Sequence, residues 1–249
     1  MKKSDLIKKL LKHRYAHRGF HDKPKIPENS MAAFKRAMLE GFGIELDVHL
    51  TKDNKLAVIH DASLKRTCGV DFLIEEMTLE EAKRYPLEES EESIPAFEEV
   101  LKLVDGLVPL VVELKVEGGN EEALCRRTFE ALDKYKGMYC VESFNPSAVM
   151  WLRKNRPEVV RGQLAGALKK GGFPMSPLAD FLLKNLWVNI LGKPDFVAYK
   201  FEDRDTKAFK KYTGAKFFWT IRSFDDLKKA EATGAAPIFE KFNPKEYER

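Results

Sequence analysis

The chain has 249 residues, is 44% hydrophobic and carries 15 glycines and 12 prolines, enough apolar material for a sizeable globular core. Its net charge of +4 comes from 43 basic and 39 acidic side chains mixed along the chain. That balance gives no support for nucleic-acid binding and only a slight pull toward anionic partners. The separated cysteines Cys68, Cys125 and Cys140 form no metal-ligand spacing. With a lysine-led start lacking a signal-peptide core, and no run near the roughly 20 apolar residues of a spanning helix, they point to a cytoplasmic protein with reduced thiols.

In chain order, β-type runs are predicted at 14–17, 43–50, 109–113, 139–144, 159–164, 196–199, 217–221 and 237–240. Helical patterns are predicted between them at 30–40, 94–104, 120–134, 147–155, 175–191, 205–213 and 223–233. Ser30 caps the first of these and Gly41 stops it, while Asn145-Pro146-Ser147 opens the helix before Trp151. Alternation of this kind predicts an α/β fold with a parallel sheet, and eight strands fit a TIM (β/α)8 barrel. A doubly wound sheet is the alternative, but no glycine-rich loop follows the first strand. Residues 61–93 interrupt the alternation; they are polar and acidic, with one short helix near 79–84, and read as a small insertion after the second strand. The whole chain, 1–249, is expected to be a single barrel domain.

The densest chemistry lies in GFGIELDVHLTKDNKLAVIHD. On a strand over 43–50, side chains two apart share a face, so Glu45, Asp47 and His49 point one way and Ile44, Leu46 and Val48 the other. Packing the apolar set under helices turns the charged set into the barrel. Carboxylates placed there cost several kcal/mol unless paired or bound to a cation. Glu113 ends the apolar strand PLVVE, with Lys115 two residues on. Three carboxylates at neighbouring strand ends suit a hard cation such as Mg²⁺ or Ca²⁺. Lys115 is suited either to a substrate phosphate or to an ion pair with these acids.

His17 and His60 each end a β-type run, at the rim where barrel active sites lie. A histidine pair suits acid–base catalysis near neutrality, and Arg18 can grip a phosphate with two parallel hydrogen bonds. His13 and His21 read as surface residues, and His49 as a support inside the barrel.

At these residues the chain resembles the glycerophosphodiester phosphodiesterase family. The matching stretches are His17-Arg18-Gly19, Pro27-Glu28-Asn29-Ser30, Glu45-Leu46-Asp47-Val48, Leu50-Thr51-Lys52-Asp53 and His60-Asp61. Ile94-Pro95, Glu98-Glu99-Val100-Leu101, Glu113-Leu114-Lys115, Ser143-Phe144 and Trp219-Thr220 follow in family order. The resemblance implies a TIM barrel with an insertion after its second strand. It implies His17 and His60 as the catalytic pair and one divalent cation, Mg²⁺ or Ca²⁺, on Glu45, Asp47 and Glu113. It implies Arg18 and Lys115 at the phosphate, Glu28 and Asn29 as buttresses, and Trp219 as a wall of the pocket. The reaction it implies is hydrolysis of a small glycerophosphodiester to sn-glycerol 3-phosphate and an alcohol. The last strand departs from the family, reading Pro237-Ile238-Phe239-Glu240-Lys241 where the family commonly reads GIITD before a proline. That alters the pocket floor or its rim.

Two rival readings follow from the residues. The apolar segment 178–191 and the basic amphipathic start SDLIKKLLKH would suit a lysophospholipase D with peripheral contact to a membrane surface. A catalytically dead binding barrel is the other. The sequence leaves open the oligomeric state, the cation, and which histidine is the acid.

Overall fold

The computed structural model describes residues 2–167 and 176–247. Helix α1, Lys3–Leu10, opens the chain and strand β1, Tyr15–Ala16, follows. Helix α2, Met31–Leu39, starts where the Ser30 side chain accepts from the Ala33 N–H, which satisfies one of the four unpaired donors of a helix start. Strand β2, Gly43–Leu50, is buried along its whole length, and β3, Leu56–Val58, returns against it. Short helices α3, Lys65–Cys68, and α4, Leu79–Ala82, precede α5, Phe97–Val104. Predicted from 94, α5 starts later because a residue before Pro95 is sterically kept out of the helical region. There follow β4, Leu110–Leu114; α6, Glu121–Leu132; β5, Tyr139–Ser143; α7, Pro146–Asn155; and β6, Arg161–Ala165. Then come α8, Pro177–Lys184; α9, Asn189–Gly192; β7, Phe196–Lys200; α10, Lys207–Lys210; β8, Ala215–Ile221; α11, Phe224–Glu231; and β9, Ala236–Phe239.

The sheet order is β1-β9-β8-β7-β6-β5-β4-β2-β3, and β1 also pairs with β2. Eight parallel strands close into a barrel surrounded by helices, the (β/α)8 fold read from the sequence. Strand β3 stands outside that count, because it is antiparallel to β2, pairing Val48 with Val58 and Leu50 with Leu56.

Two compact units divide the chain: Tyr15–Tyr139, and the first fourteen residues with those from Cys140 onward. In the first unit, β2 lies parallel to both β1 and β4, with Asp47 opposite Glu113 and Val48 opposite Leu114. Ile44, Leu46 and Val48 have no exposed surface, and α2 and α6 pack on β2. Residues 61–93 do more than the sequence reading assigned them. Ile59, Leu64, Ile74, Leu79 and Leu87 form a small apolar core with Ile94, and α3 and a 3-10 turn over Ile74–Glu76 add to the expected helix α4. The apolar positions are spaced too irregularly for a periodicity to reveal them.

In the second unit, β5 to β9 run parallel. The helix predicted at 175–191 is two helices, α8 and α9, separated where Leu186 takes a left-handed φ of 59°; Met175, its predicted first residue, lies outside the described residues. Among the described residues, no helix is long and apolar enough to cross a membrane.

Candidate active site

The charged residues singled out from the sequence converge where the middle of β2 lies beside the carboxyl end of β4, within the first unit. Period-2 alternation puts Glu45 and Asp47 on the face opposite Ile44, Leu46 and Val48, and the register places Glu113 beside Asp47. All three carboxylates are buried, and one oxygen from each lies within 4.8 Å of the others. Lys115, its N–H held by the Val48 carbonyl at 3.0 Å, puts its ammonium 3.0 Å from Asp47 Oδ1 and 2.7 Å from Glu113 Oε1.

Burial would raise the Asp47 pKa, but Lys115, His60 and Arg18 hold it well below the ordinary carboxylate range. Glu113 goes the other way: burial pushes it up, and the neighbouring Asp47 charge adds to this against the pull of Lys115. The rise is the work of burial, which disfavours the ionised carboxyl and which Lys115 offsets only in part. Three buried carboxylates with their oxygens this close form an all-oxygen donor set that fits a divalent cation.

Arg18 and Asn29 meet at the edge of this cluster. Both have left-handed backbones, φ 55° and 54°, a conformation that non-glycine residues adopt at a cost. The Asn29 N–H donates to the Arg18 carbonyl at 2.8 Å, and its side-chain amide donates to Asp47 Oδ2 at 2.8 Å. The Arg18 N–H reaches Glu45 Oε2 at 2.9 Å and its guanidinium reaches Glu28 Oε1 at 2.8 Å. Gly19, φ 80°, lets the chain pass Ala33; a Cβ there would lie 2.8 Å from the Ala33 Cβ. Glu28 is buried under Arg18, Arg66 and Lys23. Burial opposes its charge, yet these cations keep its pKa far below the usual value.

His17 Nε2 lies 4.0 Å from Glu45 Oε2. His60 Nδ1 is 2.6 Å from Asp61 Oδ1; burial, with Lys115 close by, lowers its pKa to about 4 despite Asp47 and Asp61. His60 reaches the site by a route the sequence reading did not foresee. Strand β3 runs backward, so its carboxyl end returns to the level of Asp47, whose carbonyl accepts the Ile59 N–H at 3.2 Å. His49, on the Asp47 face but two residues beyond, supports His60 from behind: its Nε2 lies 3.1 Å from the His60 carbonyl and its Nδ1 2.5 Å from Glu75.

Trp219 belongs to the second unit. Its indole N–H donates to the Ala198 carbonyl at 3.1 Å and its ring stands edge-on to Phe144, centroids 5.5 Å apart. Glu240, just past β9 in the stretch that departs from the family pattern, takes a 2.7 Å hydrogen bond from Arg222.

Asp61 and Arg66 were not assigned roles from the sequence. Asp61 stands in the sequence as the partner in the His60-Asp61 pair; nothing local announces the Arg66 contact with Glu28, which spans 38 residues.

A family model for the glycerophosphoryl diester phosphodiesterase family matches residues 17–242, a span that takes in all ten predicted site residues. A glycerophosphodiester phosphodiesterase from Caldanaerobacter subterraneus subsp. tengcongensis is 37% identical over 238 residues, 90% of this chain and 91% of the relative. One from Bacillus altitudinis is 46% identical over 110 residues, 41% of this chain and 44% of the relative. Among solved structures, an Oleispira antarctica phosphodiesterase in complex with the product sn-glycerol-3-phosphate shares the fold, with TM-score 0.79 at 23% identity over 97% of this chain and 98% of that one. By the extent of the family match and the near full-length relative, this chain belongs to the glycerophosphoryl diester phosphodiesterase family, a family of enzymes.

Proposed function

We propose that this protein hydrolyses glycerophosphodiesters to sn-glycerol 3-phosphate and an alcohol, with Mg²⁺ or Ca²⁺ held by Glu45, Asp47 and Glu113. The observation that carries this reading is the convergence of three buried carboxylates with His17, His60, Arg18 and Lys115 in one compact unit. A bound divalent cation would supply Lewis acidity to the phosphoryl group.

The chain's own groups do the rest. Arg18, its guanidinium braced by Glu28, holds phosphoryl oxygens, and Lys115 brings a second positive charge to them. Asp61, kept ionised by His60 and Arg66 against its partial burial, accepts the His60 Nδ1 hydrogen, leaving Nε2 as the atom that exchanges a proton. Because burial favours neutral His60, we assign it as proton acceptor for the attacking hydroxyl and His17 as donor to the leaving alkoxide. Asn29 holds Asp47 in place, and Trp219 is read as a pocket wall. Among the described residues the cysteines are free, which supports a cytoplasmic setting.

The test is release of glycerol 3-phosphate from glycerophosphocholine, glycerophosphoethanolamine and lysophosphatidylcholine, with Mg²⁺, Ca²⁺ or chelator. We expect turnover of a glycerophosphodiester that chelator abolishes. Failure on every substrate with either cation would overturn the reading, and faster turnover of lysophosphatidylcholine would replace it with lysophospholipase D. Calorimetric titration with each cation separates an enzyme from a dead binding barrel.

A further inference from the structure

Two carboxylates outside the proposed cation site hold the reactive groups. Glu28 Oε1 takes the Arg18 guanidinium at 2.8 Å, and Asp61 Oδ1 takes His60 Nδ1 at 2.6 Å. A third side chain joins the two carboxylates. Arg66 Nη2 lies 2.5 Å from the same Glu28 oxygen, and Arg66 Nε lies 2.5 Å from the second Asp61 oxygen, Oδ2. The chain Arg18–Glu28–Arg66–Asp61–His60 is therefore continuous.

We propose that Arg66 is a positioning residue, which sets the spacing between the phosphate-holding Arg18 and the proton-exchanging His60 by clamping Glu28 to Asp61; this rests on the roles given to Arg18 and His60 above. Arg66 sits on α3 of the inserted segment, beside Leu64 and Cys68, which pack in or against that segment's own apolar core. The insertion thus anchors the clamp through its own apolar core. Its side chain is 43% exposed, so it acts through the two carboxylates and not on the reacting atoms. A planar fork is required, because Nε and Nη2 point at different carboxylates at a fixed angle; a lysine ammonium is a single point charge and does not reproduce that. Glu28 keeps Lys23 and Arg18 when Arg66 is removed, whereas Asp61 keeps only His60 among these partners. The loss should therefore fall on proton transfer more than on substrate binding.

Arg66→Ala and Arg66→Lys are both expected to lower kcat about 10- to 100-fold, as for other outer partners of reactive groups, with KM changed less than about threefold. Methylguanidinium should restore part of the kcat of Arg66→Ala. In a double-mutant cycle, Arg66→Ala should add less than about twofold to the loss in Asp61→Asn. Multiplicative losses, or equal activity in Arg66→Lys and the unsubstituted protein, overturn the proposal. Nitrogen-15 NMR of the histidine rings supplies a readout without substrate. His60 should be a single Nδ1–H tautomer in the unsubstituted protein and a mixture in Arg66→Ala; an unchanged tautomer overturns the clamp even where no substrate is turned over. Absence of all phosphodiesterase activity with the tautomer shift intact instead overturns the proposed function alone.

Discussion

The two compact units both bury aromatic rings, Phe34, Phe97 and Phe129 among those of the first, but they differ in the charge they bury. In residues 15–139 the strands β2 and β4 bury Glu45, Asp47 and Glu113, with Glu28 and Asn29 close by. The second unit buries rings: Tyr199 stacks on Phe209 with centroids 4.2 Å apart, Phe196 meets Phe217 at 4.5 Å, and Phe209 meets Phe218 at 5.4 Å. Among its described residues, Glu142 and Arg161 are the buried charged side chains. Buried charge costs free energy, whereas buried aromatic surface contributes it. One unit thus carries most of the unfavourable electrostatics that chemistry requires, on a core as apolar as that of the other. Substitutions should separate accordingly.

The largest effect is expected at Glu113. Glu113→Gln should lower kcat/KM by about 10³-fold, roughly 4 kcal/mol of transition-state stabilisation. In chelator at pH 8 its thermal midpoint should hold or rise, because burial and Asp47 already disfavour the ionised side chain. Global unfolding of this variant would break the comparison. Phe217→Ala should do the reverse, costing about 3–4 kcal/mol of stability in denaturant titration while kcat at a permissive temperature stays within a few-fold. A collapse of kcat in a stable Phe217→Ala protein would mean that the aromatic unit also serves the chemistry.

The next effect is a pH dependence. His60 has a pKa of about 4 in the fold against an ordinary 6.5. As pH falls the unfolded chain takes the proton first, so stability is full above pH 6.5 and declines between 6.5 and 4. The loss is on the order of 3 kcal/mol. His60→Gln should flatten that decline when unfolding is followed in chelator; an unaltered slope would remove His60 as its source. The smallest effect belongs to exposed pairs in either unit. Arg126→Ala, which breaks an exposed pair with Glu122 one turn away on α6, should change stability by less than about 0.5 kcal/mol. A larger change would show that surface charge also divides the units.

Much of the site was legible because it depends on local rules. Alternation along β2 sorts Glu45 and Asp47 from Ile44, Leu46 and Val48 whatever the strand pairs with. Ser30, Asn145 and Ser223 open helices where a short polar side chain reaches a free N–H. The break at Leu186 was not legible, because nothing in an apolar run such as FLLKNLWVNIL announces a left-handed residue.

Determined by the sequence alone were the barrel, through its alternating β and α patterns, and the acids, bases and cations that such a barrel presents at its strand ends. The tertiary structure decided how they meet. It turned β3 antiparallel, so that His60 comes back beside Asp47 while His49 passes beyond it. It gave Lys115 two carboxylates at once, and it tied Glu28 to Asp61 through Arg66. Periodicity specifies the face a side chain occupies, but strand direction, register and contacts across dozens of residues arise only when separate elements pack together.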